Sequence, residues 1–170
     1  MLRLRPYDKS DAARIVSWIK DELSFRKWGA DRFPSYPITA DDLNAHYADT
    51  DENFFAMTAF DESGAVGQLI MRYPDEDKSH LRFGFIIVDD SKRGCGYGKG
   101  MLNLALEYAF RILKADTVSL GVFENNPSAL HCYESVGFRE TGNSWNCRIM
   151  DEDWKCIELT VSAKEYYENI

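Results

Sequence analysis

Two hydrophobic periods alternate along the first part of the chain. The opening L-R-L-R-P, residues 2–6, alternates apolar and charged residues, which predicts a short first strand. A helical period follows and predicts a helix capped by Ser10, with its apolar positions at Ala12, Ile15, Val16 and Ile19. Residues 25–37 mix aromatic residues with Gly and Pro, which predicts a loop, and Thr39 is the predicted cap of a second helix, ADDLNAHYA.

Longer apolar runs occupy the rest of the chain. NFFAMTAF and AVGQLIMRY flank the polar turn DESG and predict a hairpin, and LRFGFIIV predicts a central strand buried on both faces. GMLNLALEYAFRILK has one apolar face and predicts a helix, and TVSLGVF predicts another buried strand. A helix is predicted from Pro127 to Gly137, and two last strands lie around SWNCRIM and WKCIELTVS.

Composition limits the classes of protein to which this chain can belong. The 170 residues, 45% of them hydrophobic, suffice for one core of ordinary size, so we expect a single domain over residues 1–170. No segment resembles a signal peptide or a membrane span, and the four cysteines lack C-x-x-C spacing, so we expect a cytoplasmic protein with reduced thiols. The net charge of −8 argues against nucleic acid as a partner and favours a basic one.

The segment SKRGCGYGKG, residues 91–100, combines glycines with basic residues. A glycine occupies every second position from Gly94 to Gly100, and Lys92, Arg93 and Lys99 lie among them. The segment falls between a predicted buried strand and a predicted helix, where free backbone N–H groups meet the positive helix end. This order predicts a binding site for a phosphate or pyrophosphate; the alternative is a plain tight turn.

Two common phosphate-binding motifs do not fit this segment. A P-loop needs Ser or Thr after Gly-Lys, but Gly100 follows Lys99. The dinucleotide motif G-x-G-x-x-G fails because Lys99 or Met101 stands at the position of its third glycine.

A different motif matches, and a distant segment supports it. Residues 93–98, R-G-C-G-Y-G, resemble the R-x-x-G-x-G signature of the GNAT superfamily of acyl-CoA N-acyltransferases, which holds the coenzyme A pyrophosphate. The same superfamily carries N-x-x-A, then a tyrosine, then Gly-Phe, and this sequence matches all five positions with Asn126, Ala129, Tyr133, Gly137 and Phe138. The overall layout is most similar to the branch that acetylates protein N-termini, especially those of ribosomal proteins.

The resemblance implies a fold and a reaction. The implied fold is α+β, a mixed and mostly antiparallel sheet of six or seven strands with helices on both faces and splayed fourth and fifth strands. The implied activity is transfer of an acetyl group from acetyl-CoA, without a metal, to a primary amine such as a protein or peptide N-terminus. A polyamine, amino sugar or amino acid acceptor stays open, as does a non-catalytic acyl-CoA sensor, and the protein is expected to be a monomer or homodimer.

Site residues follow from the same resemblance. Tyr133 matches the general acid that protonates the departing thiolate, although a packing role is the alternative. Glu124 is the candidate general base, with a solvated surface glutamate as the alternative and His80 and His131 as weaker candidates. The coenzyme is expected to contact main-chain and side-chain groups of one strand, the glycine loop and one helix start: Ile86, Ile87, Val88, Arg93, Gly94, Cys95, Gly96, Tyr97, Gly98 and Asn126.

The aromatic segment 25–37 is the candidate for acceptor recognition. Its Trp28, Phe33 and Tyr36 either line an acceptor pocket or cover the sheet. The sequence does not decide between these two roles.

Overall fold

A single seven-stranded sheet organises the chain, and the computed structural model describes all residues, 1–170. The strand order is β1-β2-β3-β4-β5-β7-β6, and every neighbouring pair is antiparallel except β4 and β5. The strands are β1 Arg3–Pro6, β2 Phe54–Asp61, β3 Gly64–Arg72, β4 His80–Val88, β5 Thr117–Phe123, β6 Arg139–Ile149 and β7 Glu152–Ser162. The predicted mixed, mostly antiparallel sheet is confirmed.

Helices cover both faces of this sheet. They are α1 Ala12–Ser17, α2 Glu22–Gly29, α3 Ala40–Ala48, α4 Tyr97–Glu107, α5 Pro127–Ser135 and α6 Ala163–Glu168, and a π-helical turn, Tyr108–Ile112, extends α4. Helices α1 to α3 pack through Ile15, Phe25 and Leu43 on one face, whereas α4 and α5 pack through Leu106 and Tyr133 on the other. None of the helices combines the length and apolar character that crossing a membrane requires.

Two local predictions differ from the structure. Residues 25–29 belong to helix α2 and not to a loop, because Asp21 caps the helix by accepting from the Ser24 N–H and Phe25 buries its ring in the core. The first helical segment is capped by Asp8 instead of Ser10, through a short 3-10 turn at Lys9–Asp11 that leads into α1. The predicted cap of α3 is confirmed, since Thr39 and Asp42 form a capping box.

Strands β4 and β5 separate after a short paired stretch. Their parallel ladder joins only three residue pairs, the last being Arg82 with Ser119. Beyond that point β4 stays paired with β3 as far as Val88, and β5 stays paired with β7 as far as Phe123. The facing edges of β4 and β5 therefore have backbone groups without a strand partner, and the expected splay of the fourth and fifth strands is confirmed.

A β-bulge lies on β4 where the two strands separate. Gln68 of β3 faces Ile87, but Ile70 faces Gly84, so Phe85 and Ile86 together oppose one residue of β3. Phe85 has φ of 47°, a left-handed conformation that costs free energy in a residue other than glycine. The bulge turns the Phe85 side chain toward the core beneath α1 to α3.

Candidate active site

The separated ends of β4 and β5 form one side of a cleft with a volume of about 730 Å³. Helix α2, the glycine loop, the start of α4 and helix α5 complete it. Its lining includes most of the residues that the sequence singled out, namely Ile86, Ile87, Val88, Arg93, Gly94, Gly96, Gly98, Asn126 and Tyr133. Residues far apart in sequence thus meet at the gap in the sheet.

The glycine loop presents free backbone to this cleft. Gly96 is the N-cap of α4 and makes no side-chain capping bond, so the first N–H groups of the helix have no side-chain partner. Gly94 and Gly96 have φ of 75° and 84°, and a Cβ built on either would meet no protein atom within 4 Å. The loop therefore combines a glycine-dependent conformation with open space beside a positive helix end, which suits a pyrophosphate.

Gly98 serves a different purpose from its two neighbours. Its φ is not positive, and a Cβ there would lie 3.2 Å from the Cys132 Sγ of α5. The absence of a side chain allows α4 and α5 to approach each other at the cleft wall.

Two residues of the loop direct their side chains away from the cleft. The Tyr97 hydroxyl donates to Asp61 Oδ2 at 2.8 Å, and Lys92 Nζ lies 3.5 Å from the same oxygen. Hydrogen bonds from Ser63 and Tyr97 lower the pKa of the Asp61 carboxyl. Cys95 is exposed, and neither Cys95 nor Tyr97 lines the cleft, so the expected contacts of these two residues with the coenzyme stay predictions.

Tyr133 lies in the wall of the cleft with its ring almost fully buried. The ring packs edge-on to Phe138, with 6.3 Å between centroids, and the residue is 8% exposed. Burial raises the pKa of the phenol above its ordinary value of 10.0, and no hydrogen bond to a protein group opposes that shift. The hydroxyl is therefore protonated at neutral pH and available to a ligand in the cleft.

Asn126 stands at the start of α5 without acting as a side-chain cap. It is the N-cap residue by position, but its side chain makes no capping hydrogen bond, and it lines the cleft. The amide is thus free to bond a molecule between β4 and α5.

The candidate bases are dispersed. Glu124 is exposed, lies 3.5 Å from Lys155 Nζ and does not line the cleft. His80 Nε2 is 2.7 Å from the Ser119 hydroxyl near the point where the strands separate. His131 lines the cleft from α5. No three His, Cys, Asp or Glu side chains are grouped so that they could hold a metal ion.

Aromatic rings form the wall of the cleft toward α2. Trp28 lines the cleft beside Phe85, with 5.1 Å between ring centroids, and its indole N–H is buried without a partner. Phe33 and Tyr36 pack on Phe25 and belong to the apolar cluster under α1 to α3. Of the three aromatic residues considered for acceptor recognition, Trp28 lines the cleft, whereas Phe33 and Tyr36 cover the sheet.

Sequence reasoning missed some lining residues. Ser24 and Lys27 line the cleft from α2. The sequence signal that could have predicted this helix is the capping residue Asp21 followed by a helical period. Phe85 had no comparable signal, because a bulge inside an apolar run leaves the sequence pattern unchanged.

Most of the chain resembles known proteins. Residues 1–139 match the model of the acetyltransferase (GNAT) domain. Spermidine N(1)-acetyltransferase of Vibrio cholerae is 26% identical over 144 residues, which cover 84% of this chain and 81% of that protein. The enzyme of the same name from Escherichia coli K12 is 24% identical over 83% of this chain and 74% of its own length.

Solved structures share the fold. The crystal structure of spermidine N-acetyltransferase from Vibrio cholerae in complex with CoA and spermine aligns with a TM-score of 0.81. The alignment covers 98% of both chains at 22% identity. At this identity the likeness establishes the fold alone.

Proposed function

The chain belongs to the GNAT acetyltransferase family, and from this premise we propose that it transfers the acetyl group of acetyl-CoA to a primary amine of the polyamine class. Acetyl-CoA-dependent N-acetyl transfer follows from the family. The polyamine acceptor is supported by the two relatives named for spermidine acetylation, each matching more than four fifths of this chain. These relatives favour a small amine over the protein or peptide N-terminus that the sequence layout had suggested.

One observation carries the proposal: the glycine loop and Tyr133 belong to the same cleft. The proposed pyrophosphate contacts are the free N–H groups at the start of α4 together with Arg93. The pantetheine arm would be held by the Asn126 amide and by backbone groups of Ile86 to Val88 on the edge of β4 that faces β5, where they have no strand partner. This arrangement would place the thioester near Tyr133.

The proposed chemistry is a direct attack. The amine nitrogen forms a bond to the thioester carbon, the carbon–sulfur bond breaks, and the amine gives up a proton. The raised pKa of Tyr133 keeps its proton in place until the coenzyme thiolate takes it. A main-chain N–H of β4 next to the bulge would stabilise the oxyanion.

Two residues are candidates for the base that accepts the amine proton. The Glu124 carboxylate is paired with Lys155 outside the cleft, so it would reach the amine through a water molecule. His131 lines the cleft and is the competing candidate.

A panel of acceptors tests the proposal. Purified protein is incubated with acetyl-CoA and, separately, spermidine, spermine, glucosamine and a tripeptide with a free N-terminus. Released thiol and product mass are measured. We expect acetylated spermidine or spermine as the main product. Acetylation of the tripeptide alone would restore the N-terminal acceptor, and tight acetyl-CoA binding with no acetylated amine would indicate a sensor.

A further inference from the structure

Three arginines, Arg72, Arg82 and Arg32, interact electrostatically, and Arg32 also acts on His46. Arg72 and Arg82 are direct cross-strand partners on β3 and β4. Burial lowers the pKa of the Arg72 guanidinium, and the charges of Arg82 and Arg32 lower it further. Burial lowers the pKa of His46, and the charge of Arg32 lowers it further. The centroids of the His46 and Phe85 rings are 5.4 Å apart. Arg72 and Arg82 therefore lie side by side on neighbouring strands, with Arg32 close enough to Arg72 to interact with its charge.

Arg82 is adjacent to the cleft, and Arg72 is its cross-strand neighbour. Arg82 precedes Gly84 by two positions, so the two residues share a face of β4 and lie ~7 Å apart along the strand. Gly84 and Gly121 both line the cleft. A Cβ on Gly121 would lie 3.1 Å from Arg82 Nη2, so the guanidinium is next to the β5 side of the gap.

Arg82 and Arg72 differ in their partners. Arg82 lies 4.0 Å from Glu158 and donates to the Ser119 hydroxyl at 3.2 Å. Arg72 is half-buried, and neither a carboxylate nor a hydrogen bond from the protein compensates its charge. An arginine side chain stays protonated in such a place, so a half-buried guanidinium without a partner favours an anionic ligand.

The acidic loop after β3 does not supply the missing partner. Asp75 accepts a hydrogen bond from the Asp77 N–H, and Asp77 accepts one from the Ser79 N–H. These carboxylates stabilise turns of their own loop and leave Arg72 unpaired. Arg32 has an exposed ion pair of its own, with Asp31 at 3.9 Å.

We propose that Arg72, supported by Arg82, is an anion subsite, and that the cleft also acetylates primary amines that carry a carboxylate. The substrate class is an amino acid with a side-chain amine. This inference rests on the proposed acetyl transfer and adds a second acceptor class to the polyamines. The bonds made and broken are the same, and the carboxylate binds the guanidinium without reacting.

Matched acceptor pairs isolate the carboxylate. Ornithine and putrescine differ only by that group, as do lysine and cadaverine. We expect wild-type kcat/KM to be higher for each amino acid than for its diamine. In the Arg72→Gln variant, the ratio of kcat/KM for the amino acid to kcat/KM for its diamine should fall by about tenfold or more, because a charged contact is lost. Arg72→Lys should restore part of it, because the charge remains but the planar fork is lost.

Spermidine is the control acceptor in the same variants. Its kcat/KM should stay the same or rise in Arg72→Gln, because removal of a positive charge does not weaken a cationic ligand. Circular dichroism and the Kd for acetyl-CoA establish that each variant is folded. The anion subsite would be overturned if the ratio of amino-acid to diamine kcat/KM did not change in Arg72→Gln, or if the wild type preferred the diamines. Either result would leave the proposed polyamine acetylation intact. Absence of any acetylated amine would overturn both proposals.

Discussion

Replacing Tyr133 by phenylalanine removes one hydroxyl from the cleft and keeps the ring packed against Phe138. If Tyr133 is the general acid, the acetyl-transfer rate in single-turnover experiments should fall by roughly 10²- to 10⁴-fold. The Kd for acetyl-CoA should not change, because the proposed proton donation takes place after binding. Single-turnover measurement is preferred because slow product release can hide a chemical effect in kcat.

The matched control is Tyr166→Phe. Tyr166 lies on α6, where its ring packs on Phe110, and it does not line the cleft. This variant should keep the wild-type rate. A wild-type rate in folded Tyr133→Phe would leave Tyr133 as a packing residue.

At the scale of elements, the junction of β4, the glycine loop and α4 forms the proposed coenzyme site. Gly96→Val should raise the Kd for acetyl-CoA by about tenfold or more, equivalent to about 1.4 kcal/mol. A valine at φ of 84° strains the loop and places a branched side chain in the open space beside the helix end. Isothermal titration calorimetry measures the change.

Gly142→Val separates backbone strain from loss of the binding site. Gly142 has φ of 89°, has open space at its Cβ and lies on the exposed strand β6, away from the cleft. The Gly142→Val variant should lose stability through backbone strain, as Gly96→Val does, but it should bind acetyl-CoA with the wild-type Kd. Equal affinities of the two folded variants would contradict the assignment of the glycine loop.

At the scale of the whole molecule, we propose that residues 1–170 form one cooperative domain, because both apolar layers pack on the same sheet. Thermal unfolding should show a single transition. Acetyl-CoA at about 100 times its Kd should stabilise the fold by about 2.7 kcal/mol, which raises Tm by roughly 5–10 °C for a domain of this size.

Calorimetric scans with and without acetyl-CoA test this proposal. Gly96→Val serves as the control, since weaker binding should reduce the shift. Two separate transitions, only one of which responds to acetyl-CoA, would show that the chain contains more than one cooperative unit.

The sequence by itself determined the order of the strands, most of the helices and the position of the glycine loop. The strand TVSLGVF matches β5 residue for residue, and Thr39 caps α3 as its side chain predicts. These features depend on residues close in sequence: hydrophobic period, cap and glycine spacing are local properties. The family resemblance rested on such local motifs, which is why it could be recognised without a structure.

Tertiary structure decided which side chains share the cleft. The bulge at Phe85 arises from the register of β3 against β4, and the Tyr97 side chain turns to Asp61 on a distant hairpin. The same register sets Arg72 beside Arg82, ten positions away in sequence. Hydrophobic periodicity tells which face of a strand is buried, but strand pairing and register determine its neighbours. Those depend on the packing of the whole sheet, so no local pattern could predict them.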